Sequence, residues 1–169
     1  MKVKYVNKMS SDIFINNFNN IFENTSSIAV STANMRPFKN KKQLIEIFLN
    51  EFDKITINTK RSIIKNHPDL GNKFRIDDDL TEMSTNEQKN AGLNNCTEEE
   101  FLLFNQLNNE FKSKFDIPFI FAVKGKTKSI IIEEFKRRLQ NDNIEKEVEE
   151  SIKQVKQIAN FRLNEIVDE

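Results

Sequence analysis

Apolar residues recur every three to four positions along most of this chain, and that spacing constrains the fold more than any other feature. It places apolar side chains on one face of an α-helix, whereas a half-buried strand needs strict alternation. After Ser10, Ser11 and Asp12, any of which can cap, the residues Ile13, Phe14, Phe18, Ile21 and Phe22 predict a first amphipathic helix. Ile28, Ala29 and Val30 read as a short buried turn, and Arg36, Pro37 and Phe38 as punctuation. Leu44, Ile45, Phe48, Leu49, Phe52 and Ile55 then line a longer helix. Ile63 and Ile64 belong to a shorter one that stops near Asn66, because Pro68 follows His67 and the residue before a proline is pushed away from helical angles.

Residues 71–82 cluster charge without periodicity and read as a surface loop. Ser84, Thr85, Asn86 and Glu87 spell S-x-x-E, a capping box that opens a helix closed by Ala91, Gly92 and Leu93. A second box at Thr97 and Glu100 opens a long helix with Phe101, Leu102, Phe104, Leu107, Phe111 and Phe115 on its buried side. Pro118 ends it, and Phe119, Ile120, Phe121, Ala122 and Val123 continue as an apolar run. A lone strand would have no partner, so this run reads as an extended segment whose backbone groups must find other partners. Helical spacing resumes from Thr127 with Ile130, Ile131, Phe135 and Leu139, breaks at 141–143, and returns in a last helix from Ile144 through Val148, Val155, Phe161 and Leu163 to Ile166. Residues 145–150 read as a solvated helix face. With no repeat or Gly/Ser tether, residues 1–169 predict an all-α fold: a single multi-helix domain with one extended apolar segment at about 117–125 lining the site.

Composition narrows the function classes. Lys and Arg number 26 against 26 Asp and Glu, which removes the basic footprint of a nucleic-acid binder. The three glycines lie far apart, so no phosphate-cradling loop can form. His67 is the only histidine and Cys96 the only cysteine, which rules out His/Cys zinc sites and an internal disulfide, and leaves only an all-carboxylate metal site open. The lysines within residues 1–10 precede no apolar core of a secretory signal, and the longest apolar run, 117–123, falls far short of the roughly 20 residues that cross a bilayer. These features predict a soluble, intracellular protein without a membrane partner.

Chemistry has few places to sit. A lone histidine is more often structural than catalytic, but His67 stands on a proline-fixed corner, His67-Pro68-Asp69-Leu70-Gly71, which favours function. Ser84 and Glu87 are fully explained as a cap, and Asp69 as an Asx-turn residue. Arg162, between Phe161 and Leu163, is a guanidinium near an apolar stripe; it either pairs with an acid or clamps a carboxylate.

Five ordered blocks carry a resemblance: the 67–71 corner; Ser84-x-x-Glu87-Gln88 with Ala91-Gly92-Leu93; Ile117-Pro118-Phe119-Ile120 with Ala122-Val123-x-Gly125; Arg137-Arg138-Leu139 with Asn141 and Asp142; and Ile158-Ala159-x-x-Arg162-Leu163. Together with Arg36-Pro37-Phe38, this chain resembles the 2-oxo-4-hydroxy-4-carboxy-5-ureidoimidazoline (OHCU) decarboxylase family of urate breakdown, from about Phe14 to Val167. The resemblance implies an all-helical, cofactor-free and metal-free enzyme that converts OHCU to S-allantoin and carbon dioxide. It implies catalytic roles for His67, Glu87 and Arg162, and substrate contacts from Pro68, Ser84, Thr85, Asn86, Glu87, Gln88, Phe119, Ile120, Phe121, Ala122 and Val123. It also implies a homodimer working beside urate oxidase and hydroxyisourate hydrolase. The ending Val167-Asp168-Glu169 lacks the peroxisomal tripeptide of some relatives, which points to the cytoplasm. Asp116 and Ile117 replace a glycine and an aromatic residue usual in the family, and Met83 an acidic one. They keep open a decarboxylase of a related ureido-carboxylate, beside a catalytically silent helical binding module.

Overall fold

Caps written in the sequence set most helix starts. The computed structural model describes residues 1–23, 25–71 and 82–169. Within them run α1 (Val3–Val6), α2 (Ser11–Phe18), α3 (Ser27–Ala33), α4 (Lys41–Lys54), α5 (Ile57–Lys65), α6 (Glu82–Asn90), α7 (Glu98–Phe115), α8 (Lys128–Leu139) and α9 (Ile144–Ile166). The side chains of Ser10, Asn40 and Thr127 accept the backbone N–H of Ile13, Gln43 and Ile130, opening α2, α4 and α8. At α7 the capping box is complete: Glu100 N–H donates to Thr97 Oγ1 at 3.1 Å, and Thr97 N–H to Glu100 Oε2 at 2.9 Å. The described chain is all-α, with an isolated bridge between Lys2 and Asp168.

Several expectations are corrected. Ile28, Ala29 and Val30 lie inside α3 and not in a turn. α2 ends at Phe18, so Ile21 and Phe22 are buried from the following turn. Leu102 is exposed: it lies two residues, about 200°, from the buried Phe104 and so on the opposite face of α7. α1 carries too little periodicity to be read from sequence. The predicted loop at 71–82 falls largely on residues 72–81, outside the described residues.

The described chain divides into two compact units, Met1–Ile63 with Lys156–Glu169, and Ile64–Val155. In the first, α2 and α4 meet through phenylalanines: Phe14, stacked on Phe18 of its own helix at 4.6 Å between ring centroids, stacks on Phe48 of α4 at 6.0 Å, and Phe18 meets Phe48 tilted at 5.5 Å. Phe22 stacks on Phe52 at 4.7 Å, and Leu163 and Val167 are fully buried. In the second unit Phe111, Phe119 and Phe135 form the aromatic centre, with Phe119 stacked on Phe135 and edge-on to Phe111. Aromatic contacts of this kind add about 0.5–1.5 kcal/mol each beyond the area they bury. Among the described residues, no helix is long and apolar enough to cross a membrane.

Replacing Thr97 by Ala removes the Oγ1 that accepts the Glu100 N–H, while the backbone N–H of residue 97 can still donate to Glu100. The expected loss is about 1 kcal/mol of unfolding free energy, read from the urea midpoint; an unmoved midpoint would show that the Thr97 cap contributes nothing.

Candidate active site

Pro68 halts the chain directly after His67, whose own N–H still closes α5 onto Ile64 O at 3.0 Å. The corner that follows is held by side chains from two helices. Gln88 spans it with both ends of its amide, Oε1 accepting Gly71 N–H at 3.0 Å and Nε2 donating to Asp69 O at 3.1 Å. Asn108 Nδ2 donates to Leu70 O at 2.9 Å, and Lys112 Nζ meets Asp69 Oδ2 at 2.7 Å. Gly71 has φ +73°, and a Cβ there would lie 2.8 Å from Phe104 Cγ. The result is a half-buried His67 on a corner with little freedom to move, its Nδ1 buried.

Ser84, Glu87 and Gln88 share one face of α6 because they are spaced i, i+3, i+4. Gln88 turns that face onto the corner. Ser84 is buried, Thr85, Glu87 and Gln88 are half-buried, and Asn86 on the other side is exposed. The capping-box expectation for Ser84 and Glu87 is corrected: α6 starts at Glu82, so Ser84 sits inside the first turn. The spelling S-x-x-E fits a cap, but residues upstream continue the helix, and the pair is left to other work.

Phe119, Ile120, Phe121, Ala122 and Val123 take no regular structure, as expected. All but the half-buried Phe121 are buried. The backbone groups of this segment find partners outside any sheet, as expected, at three positions. Arg138 Nη1 donates to Ile120 O at 2.6 Å, Ala122 N–H donates to Gln154 Oε1 at 3.0 Å, and Val123 O accepts from Lys126 N–H at 2.9 Å. Arg138 is itself buried, bonded to Glu147 through Nε at 2.6 Å and through Nη2, and to Ser151 Oγ at 3.1 Å. Its guanidinium lies over the Phe119 ring, 4.7 Å from the centroid. Glu147 is therefore not on a solvated face, as residues 145–150 suggested. The missed signal is a row of polar residues, Glu147, Ser151 and Gln154 at i, i+4 and i+7, running inside the apolar stripe of α9. Burial alone would push the Glu150 carboxyl up, but Gln154, Arg138, Lys153 and Arg137 together hold it below the usual carboxylate range.

The departure at residue 116 has a local explanation. Asp116 caps α7 at φ 56°, in the left-handed region that glycine occupies at no cost, and Lys65 Nζ meets its carboxylate at 2.5 Å. Arg162 lies in the first unit, on α9. Its Nη1 donates to Asn20 O at 2.9 Å, to Ile21 O at 3.4 Å and to Glu23 Oε2 at 3.0 Å, with Glu23 and Arg162 both buried. The other predicted site residues all belong to the Ile64–Val155 unit.

A family model described as OHCU decarboxylase matches residues 7–164. The chain belongs to the OHCU decarboxylase family. The 2-oxo-4-hydroxy-4-carboxy-5-ureidoimidazoline decarboxylase of Xenopus laevis is 31% identical over 96% of this chain and 93% of its own. The uric acid degradation bifunctional protein of Bacillus sp. (strain TB-90) is 37% identical over 100% of this chain and 33% of its own. The bifunctional protein PucL of Bacillus subtilis is 35% identical, with 32% of its length covered, so the chain spans about a third of these two relatives. Among solved structures, an (S)-allantoin synthase shares the fold with a TM-score of 0.78 at 22% identity, covering 99% of this chain and 54% of that one. An OHCU decarboxylase crystallised in the presence of (S)-allantoin follows at 0.67 and 19%, covering 83% and 89%.

Gly71→Ala should destabilise the protein by about 2 kcal/mol or more, summing left-handed backbone strain and overpacking against Phe104. A guanidinium titration checks this; an unchanged midpoint would mean that the corner relaxes freely.

Proposed function

We propose that this chain decarboxylates OHCU to S-allantoin in urate degradation, without a metal or organic cofactor. The observation that carries this is the clamped corner: Gln88 ties the His67 corner to the helix face bearing Glu87, within a family of OHCU decarboxylases. OHCU carries its carboxylate on the carbon beside an imine carbon. When the C–C bond to the carboxylate breaks, carbon dioxide leaves and the electron pair passes into the conjugated imine, whose nitrogen takes a proton. The former imine carbon then takes a proton as the neighbouring hydroxyl loses its own and becomes a carbonyl. The substrate supplies its own electron sink, so the protein must orient the carboxylate out of the ring plane, stabilise developing charge and deliver the proton to one face.

His67 is the proposed acid/base group at the substrate's hydroxyl and carboxylate, with Glu87 fixing its tautomer or favouring imidazolium. Arg162, oriented by Glu23, is the proposed holder of an anionic or carbonyl oxygen. Backbone groups of Phe119, Ile120, Phe121, Ala122 and Val123, other than the Ile120 and Val123 carbonyls and the Ala122 amide already engaged within the protein, would bind the substrate, carbonyls accepting from its ureido and ring N–H groups and amides donating to its oxygens as in an oxyanion hole. Pro68, Ser84, Thr85, Asn86 and Gln88 would line the substrate, Gln88 acting at least in part through the corner. A cytoplasmic homodimer, supplied by urate oxidase and hydroxyisourate hydrolase, completes the proposal. The bifunctional relatives named for uric acid degradation support that pathway.

Generating OHCU in situ from urate with those two activities tests the proposal, because spontaneous decay gives racemic allantoin. Accelerated decay to one enantiomer is expected; unchanged decay and racemic product from folded protein would refute it. His67→Ala and Glu87→Ala should each lower turnover by about two to four orders of magnitude with the fold kept, measured by the same assay beside circular dichroism. Near-normal turnover in either variant would remove that residue from the mechanism.

A further inference from the structure

The Ile64–Val155 unit buries a charged network that aromatic packing does not require. Arg138 is 2% exposed, Glu147 1% and Ser151 0%. Replacing a buried ion pair by apolar side chains is often neutral or stabilising, so stability alone does not account for keeping one. What apolar residues could not do is satisfy the backbone of a buried, non-helical segment. Arg138 takes the Ile120 carbonyl and Gln154 the Ala122 amide. In an extended chain these two groups, two residues apart, lie on the same edge, and those of Phe121 between them lie on the opposite edge. Glu147 and Ser151 fix the Arg138 guanidinium, the Phe119 ring stacks beneath it, and Glu150 accepts from Gln154 Nε2 at 2.8 Å. Arg138 and Gln154 therefore each have further contacts that set their orientation.

We infer that Arg138 and Gln154 are positioning residues for the reaction: by engaging one edge of residues 119–123, they present the opposite edge, with the Phe121 N–H and C=O, to the substrate's ureido and ring amide groups. This rests on the decarboxylase proposal above. Neither residue touches substrate. Their effect is transmitted through the backbone, so it falls on substrate binding and on the face that receives the proton, more than on the acid/base step at His67.

The test uses Gln154→Met, which keeps side-chain volume and adds no charge, and Arg138→Lys, which keeps a cation beside Glu147 with fewer donors. Two readouts are taken on each. Amide hydrogen exchange in the absence of substrate reports the clamp itself, and Ala122 should exchange at least about tenfold faster in Gln154→Met, as expected for loss of one hydrogen bond. Turnover of OHCU generated in situ should show KM raised about tenfold with kcat changed less than about threefold, the pattern of lost binding, together with reduced enantiomeric purity of the allantoin after correction for spontaneous decay. Faster exchange with unchanged KM and unchanged purity would make the network merely structural and overturn the inference. Unchanged exchange would overturn it as well. If Arg138→Lys fails to fold, Gln154→Met decides alone. If the unsubstituted protein does not accelerate OHCU decay, the decarboxylase proposal fails and the catalytic part of this inference falls with it, while exchange still decides whether the clamp holds the segment.

Discussion

One constraint organises the Ile64–Val155 unit: a buried segment that is neither helix nor sheet must still satisfy its backbone. Among the described residues no strand lies beside it to do so, and leaving such groups unmet costs on the order of 1–3 kcal/mol each. Arg138 meets the constraint at Ile120 and Gln154 at Ala122. Burying the guanidinium then demands a counter-ion, which Glu147 supplies, and a planar surface, which Phe119 supplies. The aromatic centre, the inward polar row on α9 and the shape of the segment are consequences of one requirement.

The corner at His67 solves a similar problem by different means. Pro68 has no N–H to satisfy, and Gly71 gives the chain a left-handed residue against the Phe104 ring. The Asp69 and Leu70 carbonyls and the Gly71 amide are answered by Gln88 and Asn108. Both devices use side-chain amides or a guanidinium where sheet proteins use neighbouring backbone. Rigid positioning of a single histidine suits chemistry in which the substrate supplies the electron sink and the protein supplies orientation and a proton.

Much of this was legible in the sequence. Helical spacing, the Thr97–Glu100 box, the stop before Pro68 and the irregular apolar run are local properties, fixed by backbone sterics and by which residues can satisfy helix ends. The ordered blocks from the corner to Arg162 carried the family. What misled was also local. Ser84 and Glu87 spell a cap that the chain does not use, because Glu82 and Met83 continue the helix. Glu147 looks like one of several solvated carboxylates until its partner, Arg138, is known.

By itself the sequence determined the fold class, the element boundaries near strong caps and prolines, and the candidate chemical residues, because each depends on periodicity, capping or a motif of few residues. Only the tertiary structure decided that Gln88 braces the corner, that Arg138 and Gln154 hold the 119–123 segment, and that Glu23 pairs with Arg162. These pairings join residues from 17 to 139 positions apart. A buried charge or amide selects its partner by the desolvation cost of having none, and that cost exists only once the helices have packed around it.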